Sequence, residues 1–143
     1  MGVRRHKHDG VALDDGRVFI AGGADERDNE GIYSSAEVFD PATARFQAMP
    51  DMRLGRYKHR GTTFVLSSHR LLLAGGATQA EEYDPLTGES DVLGGGARMA
   101  GQFSAAALLS GERVLITGGY GDGTGPRSSA WIYGPVAQGR PGR

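Results

Sequence analysis

RVFIAGG at 17–23, RLLLAGG at 70–76 and RVLITGG at 113–119 are three versions of one phrase. Each is an arginine, three large apolar residues, a small residue and paired glycines. A leucine stands four positions before each arginine, at Leu13, Leu66 and Leu109. A second echo follows each glycine pair: SAEVFDP (35–41), QAEEYDP (79–85) and SAWIYGP (129–135). Self-similarity on this scale marks a repeat architecture, in which one supersecondary unit is copied and stacked.

The apolar runs are continuous rather than alternating, which suits strands covered on both faces. Val18, Phe19 and Ile20 are β-branched or aromatic and favour strand over helix. Asp14-Asp15-Gly16 between two such runs has a hairpin-turn composition. The first unit therefore reads as strands over 11–13, 17–21, 36–39 and 45–49, the third ended by Asp40-Pro41. The second unit reads as strands over 62–66, 70–74, 80–83 and 90–93, and Gly94-Gly95-Gly96 links it to the third. In the third unit 104–109 has local helical propensity, but its leucine keeps the four-residue spacing, so the repeat predicts a strand. Strands over 113–117 and 130–133 follow, with no fourth strand before the tail VAQGRPGR.

Spacing separates scaffold from loop. Gly22 to Gly75 is 53 positions and Gly75 to Gly118 is 43, yet Pro41 to Gly75 and Pro85 to Gly118 are 34 and 33. The slack lies between each glycine pair and the following aromatic-Asp-Pro. A rigid scaffold with length-variable loops after each second strand follows, and such loops commonly carry binding.

Composition narrows the function classes. The 143 residues carry 16 Lys+Arg against 17 Asp+Glu, a net charge of −1, with no run of like charge. That opposes a nucleic-acid or anionic-membrane partner, either of which favours a basic face. There is no cysteine, hence no disulfide framework or thiolate chemistry. The basic N-terminus MGVRRHKHDG lacks the apolar stretch of a secretory signal, and no segment reaches about 18 apolar residues. The expectation is a soluble chain without an export signal, cytoplasmic by default. The 24 glycines and 6 prolines are placed periodically and read as turn punctuation rather than disorder.

Four short strands per period of roughly 50 match one propeller blade. The order R-x-x-H (Arg5 to His8, Arg56 to His59), strand, turn, strand ending in Gly-Gly, loop, and strand ending in aromatic-Asp-Pro resembles the kelch motif. The motif residues are Gly22, Gly23, Gly75, Gly76, Gly118 and Gly119, with Phe39, Asp40, Tyr83, Asp84 and Tyr133. The resemblance implies an all-β, partial kelch-type β-propeller of about three four-stranded antiparallel blades, the last lacking its outer strand. It spans residues 4–135, in repeats of about 4–50, 51–96 and 97–135, with a disordered Gly/Pro/Arg-rich tail at 136–143. The paired glycines would let blades press close, and the aromatics would fill the wedge between them. The third copy departs from the pattern: Gly134 replaces aspartate, and Gly101 to Ser104 keeps neither Arg nor His. The tryptophan common on the family's fourth strand is matched by Phe46 but poorly by Ser90.

Closed propellers use about 4–8 blades. The chain is therefore expected to be a fragment of a larger propeller, an arc that pairs with a copy of itself or another chain, or an open arc. The resemblance implies a non-catalytic binding or scaffold module that uses loops on one rim, most directly for protein–protein interaction. On that basis Arg5, Arg56, Asp25, Asp28, Asn29, Tyr33, Tyr120, Asp122 and Arg127 are candidate partner contacts. For the arginines a second reading stands beside this one, that they pack against blade carbonyls, and the histidines would then be capped strand starts. The alternative function is a fragment of a carbohydrate-active or carbohydrate-binding propeller whose catalytic residues lie outside this chain. The copper oxidase of galactose on a similar fold uses a tyrosine cross-linked to cysteine, which this chain cannot supply. No catalytic residue or cofactor is expected. No metal is expected either: His6 and His8 lack a third ligand, and neither the acidic loop 24–34 nor GDGTG (121–125) has calcium-loop spacing. GDGTG also lacks the Lys-Ser/Thr of a phosphate loop.

Overall fold

Each of the three phrases is the second strand of its own antiparallel sheet. The computed structural model describes residues 1–94, 101–121 and 125–134. The first blade is β1 (Asp9–Ala12), β2 (Val18–Ala21), β3 (Ala36–Asp40) and β4 (Arg45–Met49), paired in that order. The second is β5 (Thr63–Val65), β6 (Leu71–Leu73), β7 (Glu81–Tyr83) and β8 (Ser90–Val92), in the same order. The third has β9 (Ala105–Leu109), β10 (Arg113–Thr117) and β13 (Ala130–Tyr133), with no outer strand among the described residues. The strand expected at 104–109 is present in spite of its helical composition. A short hairpin, β11 (Tyr120–Gly121) with β12 (Gly125–Pro126), and a 3-10 turn at Asp28–Glu30 were not foreseen. The tail at 136–143 and most of the third-blade linker lie outside the described residues.

The recurrent leucine closes the first hairpin of each blade. Leu13 N–H donates to Arg17 O at 2.8 Å, Leu66 N–H to Arg70 O at 2.9 Å, and Leu109 opposes Arg113 in register. The three-residue loop between them ends in a left-handed residue each time: Gly16, His69 and Glu112. The Asp-Pro signal is also local. Asp40 accepts from Ala42 N–H and Asp84 from Leu86 N–H, both at 2.8 Å, so the aspartate folds the turn into the outer strand.

Both faces of β6, the second strand of the middle blade, are covered, as its unbroken apolar character suits. Leu71 and Leu73 pack with Phe19, Ala21, Val38 and Tyr83 between blades one and two. Leu72 and Ala74, on the opposite face, pack with Val114 and Ile116, flanked by Trp131 and Tyr133, between blades two and three. The third-strand aromatics bridge these interfaces. Tyr83 stacks on Phe19 at 5.0 Å and donates its hydroxyl to Pro50 O at 2.8 Å. The Tyr133 hydroxyl donates to Glu82 at 2.5 Å. Phe39 rests on Phe46, 4.8 Å away. The glycines sit where blades touch: a Cβ on Gly22 would lie 2.2 Å from Arg56 O, and one on Gly76, at φ 79°, 2.8 Å from Tyr57 O.

Candidate functional site

The segments leading into the inner strands β1, β5 and β9 converge at the hub. There Lys7, Lys58 and Phe103 occupy the same place in their repeats, and all three are left-handed, at φ 56°, 54° and 57°. Non-glycine residues adopt that conformation at a cost of about 1–3 kcal/mol, so the recurrence marks an imposed geometry. It lets the backbone step from blade to blade: Lys58 N–H donates to Lys7 O at 2.9 Å and Phe103 N–H to Lys58 O at 2.8 Å. Asp9, buried at the start of β1, accepts from Gly61, Thr62 and Thr63 N–H at 2.9–3.1 Å and stitches the first two blades together.

Arg5 and Arg56 are interior groups, which corrects their expected place on the partner-gripping rim. Arg56 is fully buried; it donates to Leu73 O (3.1 Å) and Gly75 O (2.6 Å) and pairs with buried Glu81 at 2.9 Å. Arg5 does the same one blade earlier, to Gly22 O (2.6 Å), Ser35 O (3.0 Å) and Glu37 (3.3 Å). The glutamates in turn hold the preceding connection: Glu81 accepts from Arg53 N–H at 2.5 Å and Glu37 from Gly2 N–H at 2.6 Å. Ser90, the poor match to the family's fourth-strand tryptophan, is buried and donates its hydroxyl to Glu81. In the third repeat Gly101 and Trp131 replace Arg and Glu together, and Ser104 Oγ reaches Gly118 O at 3.4 Å instead.

His59 is buried with Nε2 donating to Ala21 O at 3.1 Å; burial and the neighbouring Arg56 guanidinium push its pKa down to about 4. His8 is likewise lowered, by burial and then by Arg5. His6 and His8 do not share a strand face, because β1 begins at Asp9 and Lys7 between them is left-handed.

The remaining candidates divide between two neighbouring patches. Asp28 receives Lys7 Nζ at 2.7 Å and has Lys58 Nζ at 3.6 Å, and the lysine hydrogen bond holds its carboxyl below the usual range. Lys58 also donates to the Tyr57 hydroxyl (3.0 Å) and Gln102 Oε1 (3.3 Å), and the Tyr57 hydroxyl followed by Asp28 raises its pKa. Lys58 Nζ lies 5.4 Å from the centre of the Phe103 ring. Phe103 meets Tyr120 edge-on at 6.1 Å, and the two are 62% and 50% exposed. Beside them a cleft of about 150 Å³ is lined by Ile32, Leu54, Thr78, Gln102, Tyr120 and Arg127. Asn29 is exposed on the 3-10 turn, whereas Asp25 folds back to accept from Arg27, and Tyr33 lies half-buried under Arg5 at 5.5 Å. Asp122 lies outside the described residues. Lys7, Lys58, Gln102 and Phe103 were missed. For Lys7, Lys58 and Phe103 the shared feature is the third position of each R-x-x-H copy, left-handed in all three repeats, while Arg5, Arg56 and His59 turn inward.

Stacked four-stranded antiparallel sheets, joined in series at a hub with variable loops on one rim, define a segment of a β-propeller. The Kelch motif family model matches residues 10–53, which span the first blade and its connection to the second. The second blade repeats the sheet order of the matched one, which supports a kelch-type reading of the blades. No curated protein matches it.

Proposed function

We propose that this chain is a non-catalytic binding module that holds a protein partner on the hub-side loop rim. Kelch repeats in general are non-catalytic scaffolds that mediate protein interactions. The observation that carries the reading is the exposed ring pair Phe103 and Tyr120, the second of which lines a cleft together with Gln102 and Arg127. Large aromatic anchors beside a cleft, ringed by polar groups, are the usual composition of a binding hot spot. The Lys7–Asp28–Lys58 cluster adjoins it and would orient a polar segment of the partner, while Asn29 extends the rim. Arg5 and Arg56 serve this surface only by fixing the blades beneath it.

The test is capture of partners by the intact chain against two variants, one with loops 24–34 and 120–129 replaced and one with Phe103→Ala and Tyr120→Ala. Both variants should lose a protein partner and keep the β-sheet circular dichroism spectrum. Partner capture unchanged by either variant would remove the rim assignment, and retention of a glycan in place of a protein would favour the carbohydrate-binding alternative.

A further inference from the structure

The two interfaces inside the chain follow one positional rule, and among the described residues the outer faces of the first and third blades carry its unused halves. In every repeat the first and third apolar residues of the phrase face the preceding blade, and the second residue and the small one face the following blade. Thus Leu71 and Leu73 meet Phe19 and Ala21, and Val114 and Ile116 meet Leu72 and Ala74. By the same rule Leu115 and Thr117 face away from blade two, with Ile132 beside them 61% exposed. At the other end Val18, Ile20 and Phe39 face away from blade two and are only half-buried.

The third-strand pairs show how well these ends match. Tyr83 meets the apolar Val38 and sends its hydroxyl on to Pro50 O. Tyr133 meets Glu82, which accepts its hydroxyl. The next position in the series is Ile132, which has no acceptor to offer, and the unpartnered aromatic of the first blade is Phe39, which has no hydroxyl to satisfy. The hub ladder ends in the same way. Lys58 and Phe103 donate in sequence, so Lys7 N–H and Phe103 O stand at its two ends without partners among the described residues. Gly23 and Gly76 N–H donate to Arg56 and Gly101 O of the following blade, whereas Gly119 N–H has no such acceptor among the described residues.

We infer that the exposed face of blade three docks the first blade of a second copy of this chain, so that two copies close head to tail into one ring. Each junction would seat Phe39 and Ile20 of one copy against Ile132 and Leu115 of the other and bond Lys7 N–H to Phe103 O. A head-to-tail contact makes a finite particle only if the rotation closes. Two arcs of the three described blades give six, within the closed range.

The experiment is sedimentation equilibrium of the full chain, alone and as variants on the two faces. The expected result is one species of twice the 15.1 kDa chain mass. Ile132→Asp buries an unpaired carboxylate in both junctions, as Ile20→Lys buries an ammonium, and each should weaken the dimer by about 100-fold or more. Ile132 is exposed within one chain, so the I132D variant should keep the wild-type circular dichroism spectrum. Mixing I132D with I20K should restore a dimer, because the mixed pair has one unaltered junction and places opposite charges in the other. Amide exchange gives a second readout: Lys7 and Gly119 should be protected only in the dimer. A monomeric wild-type chain, a ladder of sizes growing with concentration, or a dimer indifferent to both substitutions would each overturn the inference.

Discussion

The exchange of Arg and Glu for Gly and Trp in the third repeat shows what the buried pairs do. Arg56 and Glu81 have no exposed side-chain surface, and Glu81 also holds Arg53 and Leu54 N–H. Removing one member of such a pair strands the other charge in the interior, at about 3–5 kcal/mol, whereas removing both is often close to neutral. Arg56→Met should therefore lower the unfolding free energy by about 3–5 kcal/mol in urea titration, and adding Glu81→Gln should recover a good part of it. The motif R-x-x-H was legible in the sequence, but its role was not. An arginine that grips a partner and one that caps interior carbonyls have the same local sequence, and the difference lies in Glu81, twenty-five positions away.

His59 makes a second prediction at this scale. Its pKa is about 4 in the folded chain against about 6.5 in an unfolded one, so the unfolded state binds the proton first. The stabilisation is complete above pH 6.5 and is lost as pH falls toward 4, a decrease of about 3 kcal/mol from this residue. His59→Gln, which keeps a donor for Ala21 O, should flatten that part of the stability profile measured by urea titration at stepped pH.

At the scale of elements, patterns with local causes were readable in the sequence. The leucine four places before each arginine is a hairpin closure, and Asp-Pro is an aspartate-closed turn, so the strands fall within a residue or two of where spacing predicts them. The hairpin of β11 and β12 was hidden because GDGTG suggested only a glycine-rich loop, and two-residue strands carry no period. The hub escaped for another reason: a left-handed lysine has no sequence signature, and only superposition of the three repeats exposes Lys7, Lys58 and Phe103 as equivalents. Because Phe103 and Tyr120 project from the rim and not into a core, F103A and Y120A should each change the melting temperature little. Each should weaken a captured partner by about 2 kcal/mol or more, read by titration calorimetry.

For the whole molecule, both interfaces use opposite faces of the same strand. The continuous apolar runs announced this, since a strand with one wet face would alternate. What a single repeat could not announce is which of its faces meets another blade, because an uncovered face has the same composition as a covered one. The three sheets are blades only if the bonds between them persist in solution. The backbone-to-backbone bonds that bridge them include Gly23 to Arg56 O, Lys58 to Lys7 O, Gly76 to Gly101 O and Phe103 to Lys58 O, at 2.8–2.9 Å. Hydrogen exchange of these four amides is the most direct test. Blades stacked about a hub predict exchange as slow as that of the strand interiors, whereas four fast amides beside slow strands would mean three sheets that do not pack as one.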